Sequence, residues 1–215
     1  MRNGAMLKRY LPLLYLMVIV SILGYAMFTR PEPEIITPIA DVPDFGMAFP
    51  DNYRETFIRY LVVDRIDDTV RHIYAHPDAI AAVEAGADLP YGTQIIIETW
   101  DAQRDVFGIA RRDGAGHLIP ATMRPNLHMM EKRANWTTDQ LPSPVGVIDW
   151  NFASFDVNTM LPSIENRNDC LTCHDGGAFR RDFVFSRSII EAFINADHVE
   201  QYFFCSLPNR GNCIR

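Results

Sequence analysis

Thr93-Gln94-Ile95-Ile96-Ile97-Glu98-Thr99-Trp100 is the most β-prone stretch of this 215-residue chain. Its β-branched and aromatic residues suit a pleated surface. Tyr91-Gly92 in front of it supplies a turn. Working upstream, Thr69–Tyr74 alternates apolar and polar residues and is expected to be a strand, as is Tyr60–Val63, with Asp67-Asp68 as the turn between them. Downstream, Val106–Arg111 is expected to pair with the central stretch, before a turn at Asp113-Gly114-Ala115-Gly116. Asn126–Asn135 reads as a strand with Leu127, Met129, Glu131 and Arg133 on one face, and Val147–Phe155 as another. Short helices are expected at Asp51–Ile58, capped by Asp51 or Asn52 with Glu55 at the capping-box position, and at Asp78–Ala85, opened by Pro77 and closed by Gly86. A terminal helix is expected over Ser188–Phe204. No internal repeat is expected. The body is mainly β.

Near the carboxyl end stands Asp169-Cys170-Leu171-Thr172-Cys173-His174-Asp175. Cys-x-x-Cys-His is the attachment signal of a c-type haem. Two thiols separated by two residues can each bond one vinyl group of the same porphyrin. The histidine that follows is then held under the iron as proximal ligand, and ligand identity on the two faces of the iron sets its behaviour. Cys-x-x-Cys alone also suits half a zinc site or a redox dithiol. Tetrahedral zinc needs further ligands, and Cys205 and Cys213 lie far from the usual paired spacing. A thioredoxin-like dithiol follows a strand in a βαβ unit, and no such unit is visible.

The amino-terminal end bears on where this chemistry would occur. Arg2, Lys8 and Arg9 precede an uncharged apolar run, Leu11–Phe28, whose 18 residues are just long enough to cross a bilayer as a helix. The positive flank is expected to stay in the cytoplasm and the rest to be translocated. A cleaved signal peptide shares the basic start, but its apolar core is usually shorter and ends in an Ala-x-Ala-like site, of which Gly24-Tyr25-Ala26 is a poor version. Residues 1–30 are therefore expected to be a single-pass anchor in the inner (cytoplasmic) membrane, residues 31–49 a Pro-rich tether, and residues 50–215 a haem domain on the periplasmic side. In bacteria c-type haem is attached outside the cytoplasm, so the anchor and the motif agree. Cys205 and Cys213 bracket a turn-rich loop and are expected to form a disulfide in that oxidising compartment. The formal charge of -7 leaves no basic nucleic-acid patch, and the apolar content is that of a folded domain and not of a tail.

The position of the motif excludes two haem architectures. Small electron-transfer cytochromes place it at the start of the domain and draw a methionine ligand from downstream. Here 215 − 174 = 41 residues follow His174, and none is methionine. The four-helix cytochromes c′ are excluded by the strands between residues 60 and 155. The chain resembles instead the cytochrome P-460 family, which includes the cytochromes c′-beta. The matching pieces are Phe49-Pro50-Asp51-Asn52-Tyr53-Arg54, Thr69–Tyr74 with Pro77, Leu89-Pro90-Tyr91-Gly92-Thr93, Met130-Glu131-Lys132-Arg133, Trp150–Phe155, the haem motif, and Asp182–Ser186. They cover about residues 49 to 190. The resemblance implies an α+β domain of mostly antiparallel sheet with flanking helices, usually a homodimer. It further implies one haem c on Cys170 and Cys173, with His174 as proximal ligand and iron that is often five-coordinate. Members that oxidise hydroxylamine resemble one another in a lysine bonded to the porphyrin, just before the Glu of the strand after Gly-Thr. Here that position is Ile97, before Glu98, and the only lysines are Lys8 and Lys132. Hydroxylamine oxidation is thereby disfavoured. The cytochromes c′-beta bind nitric oxide and similar small ligands at a pocket capped by aromatics.

Candidate pocket walls are Phe57, Ile95, Ile97, Trp100, Phe107 and Phe152, each of which could equally be core packing. Arg71 is a candidate partner for a haem propionate, since guanidinium matches carboxylate geometry. Glu131 is a weak candidate for a catalytic proton-transfer group, against the plainer reading of a solvated strand-face carboxylate. Of the remaining histidines, His72, His76, His117, His128 and His198, a second iron ligand would convert the protein into an electron carrier, and His128 and His72 are the first to consider. Three functions follow: a membrane-anchored binder of nitric oxide or a related gas, an enzyme oxidising small nitrogen compounds, and an electron-transfer subunit docked to a membrane complex.

Overall fold

The chain divides into two units, Met1–Asp41 and Val42–Arg215. The structure, a computed structural model, describes residues 45–141, 149–163, 167–178, 184 and 186–205 of the second. For Cys173 and residues 175–178 it describes the backbone alone.

Helix α1 (Tyr53–Thr56) leads into strand β1 (Ile58–Arg65), which turns at Asp68 (φ 57°) into β2 (Thr69–Ala75). Pro77 then opens α2 (Pro77–Glu84), with His76 as its cap, and Gly86 (φ 71°) ends it in the left-handed region that glycine adopts without strain. The isoleucine-rich stretch forms β3 (Gln94–Ala102) at the centre of a seven-stranded sheet. It pairs antiparallel with β2 on one side and with β5 (Asn126–Lys132) on the other, so that Ile97 lies between Ile73 and His128. Strand β4 (Pro120–Met123) extends the β5 side of β3, opposite Trp100 and Asp101. Beyond β5 lies β6 (Trp150–Asp156), then α3 (Arg167–Ala178) and α4 (Arg187–Asn195). The last strand, β7 (Gln201–Cys205), runs parallel to β1.

Side chains alternate between the faces of a strand, and the two faces of this sheet have different cores. On one, Leu61, Val63, Ile73, Ala75, Ile95, Met130, Trp150 and Phe152 are buried beneath α2, α3 and α4, with Ile97 and Cys170 packed against them. On the other, Tyr74, Ile96, Leu127, Met129, Ala153 and Phe155 pack with Tyr53, Phe57 and Met47. The mainly β body, the turn at residues 113–116 and the shared face of Leu127, Met129 and Glu131 are all as the sequence leads one to expect.

Four local expectations are corrected. Ser188–Phe204 is not one helix: it stops at Asn195, Asp197 and His198 take positive φ, and Tyr202-Phe203-Phe204 alternates as an edge strand. Asn52 precedes α1 with φ 52°, and its side chain makes no capping bond. Val106–Arg111 does not pair with the central strand; β4 does. Finally, there is an internal repeat, Arg-Asp-x-x-Gly at 104–108 and again at 112–116, which builds the same tight turn twice. Asp105 Oδ1 accepts from the amides of Phe107 and Ile109, and Asp113 Oδ1 from those of Ala115 and His117, all at 2.9 Å. Arg104 and Arg112 donate to the carbonyls of Gly108 and Gly116 at 2.7 and 2.8 Å. The second turn is tied to the body through Leu118, whose amide donates to Asp64, while the first projects with Phe107 84% exposed.

Among the described residues no helix is long and apolar enough to cross a membrane. The anchor expected at Leu11–Phe28, the tether up to residue 44, and Cys213 of the expected disulfide lie outside the described residues; Cys205 is buried at the end of β7.

Candidate haem site

The haem motif lies on α3, which starts three residues ahead of Cys170. Helical periodicity puts Arg167, Cys170, Leu171 and His174 on one stripe, and that stripe faces the sheet. Leu171 is buried and Cys170 packs against the same core. The His174 ring lies against the Phe152 ring at 4.8 Å between centroids. Two turns earlier, Arg167 holds the other end of the contact. Its Nε donates to the Phe152 carbonyl at 2.7 Å, its Nη2 donates to Asn151 Oδ1 and the Gln140 carbonyl, and the guanidinium covers the Phe45 ring at 3.9 Å. Burial pushes the Arg167 pKa down from its usual value, which is the cost of placing a cation among carbonyls. Arg167 and Phe152 thus fix the helix to β6 at backbone and side chain. Sequence reasoning missed Arg167; the signal available was an arginine one helical turn before the first motif cysteine.

The donor set fits a haem. A thiol and an imidazole four residues apart share a helix face, and they meet an apolar sheet surface made of Ile73, Ile95, Ile97, Met130 and Phe152. Among the described residues no cluster of His, Cys, Asp and Glu with metal-holding geometry occurs.

The pleat sorts the other candidates. Ile95, Ile97 and Phe152 face α3. Phe57 belongs to the opposite core, Trp100 hydrogen-bonds Glu98 on that same far side, and Phe107 stands at the exposed turn. These three are not walls of a pocket beside His174. Arg71 shares the α3 face with Ile73. Glu131 points to the other face, where its Oε1 accepts from Arg133 at 2.5 Å. The sheet therefore separates Glu131 from His174, and Arg133 gives its charge a structural partner. Lys132 is committed as well: its Nζ donates to the Leu89 carbonyl at 2.9 Å beside Tyr91 and Trp150.

Behind Ile97, the next residue gathers a dense polar cluster. Glu98 is fully buried. It accepts from Tyr53 Oη at 2.5 Å, Arg54 Nε at 2.6 Å, Trp100 Nε1 at 2.8 Å and Tyr74 Oη at 3.4 Å, with His72 Nδ1 at 3.3 Å. Burial alone would raise its pKa, but the hydrogen bonds from His72, Tyr53, Arg54 and Trp100 outweigh it and hold the value at about 2. His72 is thus spoken for on the far face. His76 caps α2, His117 stacks on Tyr202, and His198 meets the Phe193 ring edge-on.

A mostly antiparallel sheet with flanking helices, one of them setting Cys170 and His174 of a Cys-x-x-Cys-His motif against an apolar face, is the framework of a haem-binding cytochrome domain. The Cytochrome P460 family model matches residues 50–186, more than half of the chain. The chain belongs to that family, and membership implies a haem cofactor. No curated protein matched the chain.

Proposed function

We propose that the chain is a membrane-anchored c-type cytochrome of the periplasmic side that binds nitric oxide or a similarly small ligand. Cys170 and Cys173 would hold one haem covalently, and His174 would be its one protein ligand. When bound, such a haem supplies an iron with a coordination position open to small neutral molecules. The chain's own residues do the rest. Arg167 and Phe152 keep α3, and hence His174, in a fixed relation to the sheet. Ile73, Ile95, Ile97 and Met130 present an apolar surface that disfavours water and anions. Arg71, on the same face, would pair with a propionate.

The observation that carries this reading is Ile97. It lies on the α3 face at the position where the resemblance places a crosslinking lysine in hydroxylamine-oxidising members, and Lys132, the one lysine among the described residues, donates to the Leu89 carbonyl. This supports binding without crosslink chemistry over hydroxylamine oxidation.

The absorption spectrum of the reduced, haem-loaded protein tests the reading. A five-coordinate high-spin pattern that changes on adding nitric oxide is expected. A sharp low-spin alpha band before any ligand is added would instead mark an electron carrier, and a crosslink-type shifted band would mark the enzyme.

A further inference from the structure

The first of the two matching turns carries Val106, Phe107 and Ile109, which are 93%, 84% and 65% exposed. Its twin has Gly114, Ala115 and His117 at the same three places. Both turns make the same pair of amide bonds to an aspartate Oδ1 and the same bond from arginine to the glycine carbonyl. The backbone therefore does not need apolar side chains at the first turn. Large apolar groups left in water are unfavourable, and a contiguous set of them marks a contact surface. The set stands on a stiff frame. Gly108 takes φ 81°, and Arg104 also reaches Asp68 of the β1–β2 turn at 3.1 Å.

We propose that this tip inserts among the lipids at the surface of a bilayer. Size and charge select that occupant. Three side chains on a convex point fall well short of the ~800 Å² that each partner buries in a stable protein interface. Interfacial insertion asks for less: an apolar point with cations behind it. Residues 104–112 hold Arg104, Arg111 and Arg112 against Asp105, a net 3 − 1 = +2 in a chain of net -7. All three arginines are exposed. Arg104 and Arg112 face Asp68 and Asp64 at 3.1 and 3.8 Å, while Arg111 donates to the neutral Gln103 side chain at 3.3 Å. Guanidinium groups at this level pair with lipid phosphates while the apolar tip passes beneath them. The inference rests on the membrane attachment proposed above. A tether as short as residues 31–49 keeps the domain close to a bilayer, and that confinement makes a small insertion effective. The tip is then a second point of attachment, which limits how the haem domain tumbles against the membrane.

The test is photolabelling of the full-length, haem-loaded protein in vesicles of phosphatidylethanolamine and phosphatidylglycerol, doped with a phospholipid carrying a diazirine on its acyl chain. Trypsin cuts after Arg104 and Arg111, so the peptide Asp105–Arg111 isolates the tip, and Asp113–Lys132 carries its twin. Mass spectrometry is expected to find a lipid adduct on the first and none on the second. Converting the tip into its twin, with Val106→Gly, Phe107→Ala and Ile109→His together, should abolish the adduct and leave the haem content and the urea midpoint unchanged. The wild-type pattern decides the matter even where the triple variant fails to fold. Label on the peptide holding Leu11–Phe28 but none on Asp105–Arg111 overturns the inference and leaves the anchor standing. Label on neither overturns both, and equal label on the twin peptide overturns the inference as well. A dimer that the triple variant loses, seen by light scattering with no tip adduct in the wild type, overturns it by assigning the tip to a second copy of the chain.

Discussion

At the residue scale, adjacent positions 97 and 98 illustrate how a pleat divides labour. Ile97 meets the haem-motif helix; Glu98 gathers Tyr53, Arg54, Tyr74, Trp100 and His72 behind it. Because the folded pKa of Glu98 lies near 2, below its ordinary 4.5, the unfolded chain takes up the proton first as pH falls. The stabilisation is therefore present above about pH 4.5 and is lost as pH drops toward 2, amounting to about 3 kcal/mol. Urea melts across that range should show the slope, and Glu98→Gln should flatten it. Glu98→Ala leaves Arg54 and the buried donors without their acceptor and is expected to cost about 3–5 kcal/mol. Little of this was legible beforehand. A glutamate in an isoleucine run announces a strand with one polar position, but its partners other than Trp100 come from elements 24 to 45 residues away, and only pairing register brings them together.

At the scale of elements, α3 is held by contacts at both ends of its sheet-facing stripe. Arg167→Ala would remove one donor each from the Phe152 and Gln140 carbonyls and Asn151 Oδ1, the last two keeping bonds from the Asn151 amide group and the Phe152 amide respectively, at an expected cost of about 1–3 kcal/mol. Chemical denaturation checks the cost, and a broadened or shifted haem absorption would show that the helix has lost its seating. On the proposed attachment, replacing both Cys170 and Cys173 with serine should abolish haem that survives denaturing electrophoresis, while either single change should leave it held through one bond. The projecting turn makes the opposite case. Phe107 is solvent-facing, and Ala115 serves at the equivalent place in the second turn, so Phe107→Ser should change stability by less than about 0.5 kcal/mol and leave the haem spectrum unchanged. The two turns show why Phe107 misled: aromatic content near a strand suggests burial, whereas the Arg-Asp-x-x-Gly spacing, equally visible in the sequence, dictates a hairpin tip.

At the scale of the molecule, the sheet was read largely correctly because its strands carry period-two patterns bounded by Gly, Pro and Asp. The family was legible because Cys-x-x-Cys-His has a spacing that haem chemistry constrains and stands among other matching pieces in order. The wall residues were not, since each apolar strand residue has two faces to choose from and the choice depends on register. Strand β7 was missed for a related reason: an edge strand of five residues after a helix reads as more helix until Asp197 and His198 are seen to break it. Its removal makes a whole-molecule prediction. A chain ending at Asn195 would bare the hydrogen-bonding edge of β1, where Leu61 and Val63 are buried, and should aggregate on purification, as light scattering would report.

That parallel pairing of the last strand with the first has a consequence for biogenesis. A polypeptide delivered amino end first presents Cys170 and Cys173 before Gln201–Cys205 has emerged, so β1 waits with one flank open while both thiols are already accessible. On the proposed covalent attachment, a maturation machinery would have an interval set by the length of chain still to arrive, about 30 residues, in which to load the porphyrin before the sheet seals.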